Sequence, residues 1–460
     1  MWHMRKKFLW LMMILAVIDV ASAQFVSSPD GDWSGNLELG QGRKLKLVIH
    51  ISSCPSQILM DSPDQGAYGI EAKDIRLSSD SIGFGVPRLM LSYEGRLRND
   101  SIEGTFQQGI ARFPLVFERG VKKPRRPQTP EPPFPYTTEE IKIENKSGGS
   151  VLAGTLTLPP GCDVYTPVVV MVSGSGLQNR DEELFEHKPF AVIADYLARN
   201  GIASFRYDDR GFEQSTGDVT KATTADFASD AAAVVNWLRS ERKFNKVGLL
   251  GHSEGGQIAY MLAASLLPPD FIISVAGPAI KGTSTIAFQN KMALMKSGFD
   301  EGIASDFVVA LEKVLNKKLT QTVSRELSDE ELKDLYPSYN DNVVTKKLGE
   351  SIKSVYKEGF ENEWMKYFLG YDPAEDMSRI NKPAMIIYGE LDLQVPASLN
   401  AGRARELVKS ADVRVYPGLN HLMQHAVAGH VEEYSIIEET ISPEVLADIV
   451  VFIDSLRPLH

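Results

Sequence analysis

Apolar positions change rhythm twice along this chain. Up to about residue 120 they come in short stretches that alternate with polar residues, at 45–51, 89–97, 101–106 and 113–117. Turn text at 83–87 and 99–100 separates them. Short strands at this spacing predict a small all-β domain, a sandwich or partly open barrel, over 24–120. Trp33, Tyr93 and His50 fall there as core or rim positions, without metal-ligand spacing. Residues 121–136 then carry six prolines. Such a run can form neither a helix nor a central strand, which predicts a stiff, extended linker. Beyond it, from 137 to 460, apolar strand-like runs alternate with helical periods. Strands are expected at 152–158, 168–172, 202–207, 247–250, 271–276, 384–388 and 413–416. Helices are expected at 188–200, 225–241 behind a Thr224 cap, 255–264, 398–409 and 443–456. This alternation predicts a doubly wound α/β sheet. The stretch 280–376 breaks the alternation with charged, helical text and reads as a lid inserted into that domain.

The first residues change the picture of where the protein works. Arg5, Lys6 and Lys7 precede an apolar stretch over 8–18 and then Ala21-Ser22-Ala23. A basic head, a short apolar middle and small residues at the end predict a signal peptide over 1–23. The apolar run is shorter than the ~20 residues a spanning helix needs. The expectation is an exported, periplasmic or extracellular protein without stable membrane insertion. Composition is that of a soluble globular chain, 43% hydrophobic and 24% charged. With 49 basic and 60 acidic residues the net charge is −11, which argues against nucleic acid as a partner. Losing the signal peptide removes three bases and one acid and takes the charge to −13. Cys54 and Cys162 are too few for a disulfide framework and read as two buried or inert thiols.

Candidate chemistry concentrates at strand ends of the second domain. The strand ending at 250 runs into Gly251-His252-Ser253-Glu254-Gly255-Gly256 and then into a helix. A strand before G-x-S-x-G and a helix after it are what a nucleophile elbow requires, with glycines where the turn leaves no space for side chains. Ser253 is therefore the candidate nucleophile. A serine hydroxyl needs a base, and the base an orienting acid, in the chain order Ser, Asp or Glu, His. His421 directly follows the strand ending at Tyr416 and is preferred to His425 and His430. Asp392 is preferred as acid to Glu390, because it lies farther from its strand, where the loop can turn back toward His421. The oxyanion of acyl transfer needs backbone N–H donors. Glu254 supplies one, and Ser175, with Gly176 as the alternative, supplies the other from the small-residue loop 173–176. No Gly-Lys-Ser/Thr follows that loop, so it is not a phosphate loop. Two charge-rich clusters, 179–181 and 206–211, read as ion pairs and turn caps that brace the oxyanion loop, not as a metal site.

Taken in order, Ser173-Gly-Ser-Gly, Asn179-Arg-Asp, Arg206-Tyr-Asp-Asp-Arg-Gly, Gly251-His-Ser-Glu-Gly-Gly, Gly389-Glu-Leu-Asp and Gly418-Leu-Asn-His resemble exported bacterial α/β-hydrolases of the EstD carboxylesterase type. Hydrolases of this kind also carry serine aminopeptidase-like labels. Two features depart from the pattern: Ser173 stands where many hydrolases have His-Gly, and Phe212-Glu213 replaces Phe-Gly. The resemblance implies an α/β-hydrolase fold with a helical lid behind a small all-β domain. It also implies Ser253, Asp392 and His421 as nucleophile, acid and base. The reaction expected is hydrolysis of small-molecule carboxylic esters through an acyl-enzyme, with no cofactor and no metal. A serine peptidase of the aminopeptidase or prolyl-oligopeptidase kind would use the same triad. A binding protein with an inert hydrolase domain is the remaining alternative. Acyl and alcohol specificity and oligomeric state lie beyond the sequence.

Overall fold

A computed structural model describes residues 28–40, 43–63, 67–98, 100–120, 125–320, 326–357, 360 and 362–457. The signal peptide expected at 1–23 lies outside the described residues. The chain divides into two compact units, Met1–Lys123 and Pro124–His460.

The first unit is one antiparallel sheet of strands β1 (Gly31–Gly40), β2 (Arg43–Ser53), β3 (Ser56–Ser62), β4 (Ala67–Glu71), β5 (Lys73–Leu77), β6 (Ser81–Val86), β7 (Leu91–Arg98), β8 (Ser101–Gln108) and β9 (Ala111–Arg119). Their order is β4-β3-β2-β1-β9-β8-β7-β6-β5. The edge strands β4 and β5 are separated in sequence only by Ala72, whose N–H donates to Ile58 O on β3 at 3.0 Å. The sheet thus curls back on itself, a partly open barrel and not a sandwich. Alternate residues fill its interior, among them Trp33, Phe84, Tyr93 and Phe117, all buried. The Tyr93 hydroxyl donates to the carbonyls of Ile102 and Leu115, which satisfies the one polar atom of that ring. His50 is a rim residue held between Asp32 and Asp61. Cys54 corrects the expectation of a buried thiol. It occupies the tight turn between β2 and β3, where no side chain reaches the core, and it is exposed. Cys162 is half-buried against the core of the second unit, and burial pushes its thiol pKa up.

The second unit contains an eight-stranded sheet: β10 (Thr137–Asn145), β11 (Ser150–Leu158), β12 (Val168–Val172), β13 (Ala203–Tyr207), β14 (Val247–His252), β15 (Ile272–Val275), β16 (Ala384–Gly389) and β17 (Asp412–Tyr416). The order is β10-β11-β13-β12-β14-β15-β16-β17, antiparallel up to β13 and parallel from there on. Its central strands are apolar throughout because both faces are covered. Helices α1 (Pro189–Arg199), α2 (Thr224–Ser240) and α3 (Glu254–Ala263) connect the first parallel strands. Between β15 and β16 the chain inserts α4 (Gly282–Lys296), α5 (Glu301–Thr320), α6 (Asp329–Leu335), α7 (Val343–Lys357), α8 (Glu363–Gly370) and α9 (Ala374–Ser378). The remaining helices are α10 (Ala397–Leu407), α11 (Val431–Tyr434) and α12 (Pro443–Ser455). Helices α2, α3 and α10 pack on one face of the sheet, α1 and α12 on the other. The inserted helices have an apolar core of their own, including Phe307, Leu311, Val314, Tyr336 and Ile352.

Two expectations are corrected in detail. The cap of α2 is Thr223, one residue earlier than expected: its N–H donates to the Asp226 carboxylate at 2.9 Å. Thr224 is thereby released to point its hydroxyl elsewhere. The described part of the proline segment does not run free. The Arg126 guanidinium donates to the carbonyls of Phe185, Ser435 and Ile437, and Gln128 bonds Ile441. The segment also makes a turn of its own, Thr129 N–H donating to Arg126 O at 3.0 Å, so the expected stiff, extended linker is here a docked, turned strap.

Candidate active site

Four loops at the carboxyl ends of β12, β14, β16 and β17 converge, the edge at which α/β sheets bind ligands. The sharpest is the turn from β14 into α3. Ser253 sits in it with φ 54° and ψ −115°, a backbone conformation costly for any residue with a side chain. It is held there by its N–H donating to Val275 O at 2.8 Å and by its carbonyl accepting from Gly256 N at 2.9 Å. The flanking glycines are obligatory. A Cβ on Gly251 would lie 1.9 Å from Gly255 O, and one on Gly255 would lie 2.1 Å from Val172 O. The turn leaves Ser253 half-buried, ahead of the N-terminus of α3.

Asp392 and His421, from the loops after β16 and β17, meet. The Asp392 carboxylate receives the N–H groups of Gln394 and Val395 on Oδ1, each at 2.8 Å. Its Oδ2 lies 2.8 Å from His421 Nδ1. Both residues are almost fully buried. With Nδ1–H directed at a carboxylate, the neutral ring carries its lone pair on Nε2, the tautomer a general base needs. The alternatives are occupied otherwise. Glu390 is exposed and accepts from Gly418 N at 3.0 Å, His425 is exposed on Glu439, and His430 caps α11. The base loop is pinned by Asn420, whose side chain accepts from Leu422 N and Gln424 N and donates to Gln424 Oε1.

The loop after β12 lies against the elbow: a Cβ on Gly174 would come within 3.2 Å of Ser253 Cβ. The Ser173 hydroxyl donates to Asp209, and Gly174 N donates to Glu182 Oε1 at 2.7 Å. Ser175 stands exposed at the next position. The charge clusters interlock behind this loop, with Arg180 on Asp208 at 2.7 Å, Arg206 on Asp181 at 2.8 Å and Arg210 on Asp230 at 2.7 Å. Asp209 also receives Gln178 N at 2.8 Å. Burial, together with the nearby Glu254 and Glu182, pushes the Asp209 carboxyl up to about 8 despite those two bonds. Among the described residues no three His, Cys, Asp or Glu side chains are grouped to hold a metal ion.

Three site residues were not legible as such. His252, adjacent to Ser253, is buried between Glu182 and the His421 carbonyl. Its one sequence signal is that it is the only charged or polar side chain in an otherwise apolar strand end. Glu182 gives no signal of its own. Trp364, the single Trp of the inserted region, donates its indole N–H to the buried Glu254 carboxyl at 2.8 Å, which also receives the Thr224 hydroxyl at 2.6 Å. Burial raises the Glu254 pKa, and these two bonds only partly offset it.

The family described as the alpha/beta hydrolase fold matches residues 167–426. The chain belongs to this family. Esterase EstD of Thermotoga maritima is 27% identical over 299 residues, covering 62% of this chain and 64% of the esterase. The chain therefore spans somewhat less than two thirds of that hydrolase. The bifunctional esterase/perhydrolase DCH of Acinetobacter calcoaceticus is 26% identical over 313 residues, 64% of this chain and 98% of that one. Among solved structures, a hydrolase of Pyrococcus furiosus titled an esterase is similar at 14% identity and a TM-score of 0.42, covering 74% of this chain and all of that one.

Proposed function

We propose that this chain hydrolyses carboxylic esters of small molecules by a two-step acyl transfer. Ser253 attacks the ester carbonyl while His421 Nε2 accepts its proton, and Asp392 steadies the imidazolium that forms. The N–H groups of Glu254 and Ser175 receive the oxyanion. The alcohol leaves with the proton from His421, and water repeats the sequence to release the acid. What supports the reading is a strained Ser253 elbow together with a His421 ring held by Asp392 on a loop whose backbone His252, the neighbour of Ser253, bonds. The names of the two curated relatives, both esterases, support the choice of ester as substrate. The helical insertion, in contact through Trp364 with the residue after the nucleophile, acts as the lid that shapes the acyl pocket.

The test is turnover of p-nitrophenyl acetate and butyrate by Ser253→Ala, with aminoacyl p-nitroanilides assayed in parallel. Ester turnover is expected to fall on the order of 10⁴-fold or more in a variant that stays folded by circular dichroism. Wild-type ester turnover by this variant, or anilide cleavage faster than ester cleavage by the wild type, overturns the reading.

A further inference from the structure

The buried residue beside the nucleophile has partners that fix its protonation. His252 Nε2 lies 3.0 Å from the His421 carbonyl oxygen, which can only accept a hydrogen bond. Its Nδ1 lies 2.9 Å from Glu182 Oε1, and that same oxygen already accepts from Gly174 N at 2.7 Å. Both ring nitrogens therefore face acceptors. The arrangement is satisfied when both carry hydrogens, an imidazolium balanced by the Glu182 carboxylate. Burial works against the charge on His252, but the attraction and hydrogen bond of Glu182 and the His421 carbonyl outweigh it and raise its pKa.

These bonds join three loops at one point. His252 is the last residue of β14 and immediately precedes Ser253. Its Nε2–H holds the backbone of His421, and the two rings lie 4.8 Å apart. Through Glu182 it is tied to Gly174, which lies against Ser253. Nucleophile elbow, base loop and oxyanion loop thus share a single charged pair, and neither member is exposed.

We propose that His252 is a positioning residue for ester hydrolysis: as an imidazolium clamped by Glu182, it fixes the His421 loop and the Gly174 loop against the Ser253 elbow. It takes no proton from substrate and touches no reacting atom. It acts by setting the distances over which Ser253, His421 and the oxyanion donors must work together. This inference rests on the ester-hydrolase reading, and its test separates the two.

The experiment compares wild type with His252→Ala, His252→Gln, Glu182→Gln and Ser253→Ala in p-nitrophenyl butyrate hydrolysis, with active sites counted by end-point fluorophosphonate labelling. A displacement of about 1 Å at a catalytic site costs on the order of 10²-fold in rate. His252→Ala is expected to lose about that much kcat per labelled site, with KM changed by less than about threefold. His252→Gln places an amide N–H near the former Nε2, restores the bond to the His421 carbonyl, and is expected to recover kcat to within about tenfold of wild type. Should His252→Ala fail to fold, Glu182→Gln decides. It retains an acceptor for Gly174 N–H but removes the balancing charge, and kcat is expected to fall about tenfold at unchanged KM. Wild-type kcat per labelled site in His252→Ala, or in Glu182→Gln when the first variant does not fold, overturns the inference. A loss of activity accounted for entirely by fewer labelled sites does so as well, because it marks a structural role alone. Ser253→Ala that is inactive beside a fully active His252→Ala removes only this inference, whereas an active Ser253→Ala removes the ester-hydrolase reading itself.

Discussion

Asp209 holds its proton where an exposed aspartate would have lost it. Burial lifts its pKa to about 8 from the usual 3.8. In the unfolded chain the carboxyl ionises near its ordinary value, so between about pH 4 and pH 8 the folded state binds a proton that the unfolded state does not. The stabilisation is complete below the unfolded pKa and is lost as pH rises through the folded one. Asp209→Asn keeps an acceptor for Gln178 N–H and a polar contact for Ser173, while removing the titration. Its melting temperature, measured by calorimetry at pH 5 and pH 8, is expected to decline less across that interval than that of the wild type. An identical pH dependence in the two proteins would rule the account out. At this scale the sequence was most legible where chain order constrains chemistry. Ser253, Asp392 and His421 follow from strand ends and loop reach, and the structure brings Asp392, not Glu390, to His421. His252 and Glu182 were hidden because their significance lies in a contact between residues 70 positions apart, for which neither local text carries a mark.

Among elements, α8 carries a hydrogen bond that links the insertion to the elbow. Trp364 stacks on Phe368 with ring centroids 5.4 Å apart and donates to Glu254 from its indole N–H. Trp364→Phe keeps the aromatic surface and removes the donor. A hydrogen bond to a buried polar partner contributes about 1–2 kcal/mol. The variant is expected to exchange the amides of Glu363–Gly370 faster with deuterium and to raise KM for butyrate esters several-fold, while kcat changes less. Unaltered exchange in that segment would exclude α8 as the link. Strands and helices with a strong period were legible from the text, as in β12, β14 and α2. Strand β10 was not, because Thr137–Asn145 lies at the sheet edge and is mostly polar, with only Ile143 in the core and Ile141 against it. In the first unit the turn expected at 83–87 is corrected: Ser81–Val86 is strand β6, paired with β7 and buried from Ile82 on, and its Gly83 and Gly85 read as turn text although they lie within the sheet.

For the molecule as a whole, Arg126 joins parts of the second unit that are far apart in sequence. It bonds Phe185 on the segment behind the oxyanion loop, and Ser435 and Ile437 on the segment beyond His421. Removing a charged donor from three half-buried carbonyls costs about 2 kcal/mol. Arg126→Ala is therefore expected to lower the melting temperature by roughly 3–6 °C in a calorimetric scan. A change under one degree would show that the carbonyls are equally well served by water. Proline content excluded helix, and none forms in the described part of this segment, but it could not tell a free spacer from a docked strap, because docking depends on side chains meeting carbonyls up to hundreds of residues away.

The curled sheet of the first unit has a further consequence. Open sheets present two outer strands whose unpaired N–H and C=O groups can recruit another chain. Here those strands, β4 and β5, are consecutive in the chain, with Ala72 between them bonded back to Ile58. That bond anchors the junction of the two outer strands to β3, so the edges meet at one corner of the sheet instead of lying at opposite sides. A nine-stranded sheet arranged so is shielded from self-association by its connectivity as well as by charge, since Glu71, Lys73, Asp74 and Arg76 all stand on those same two strands.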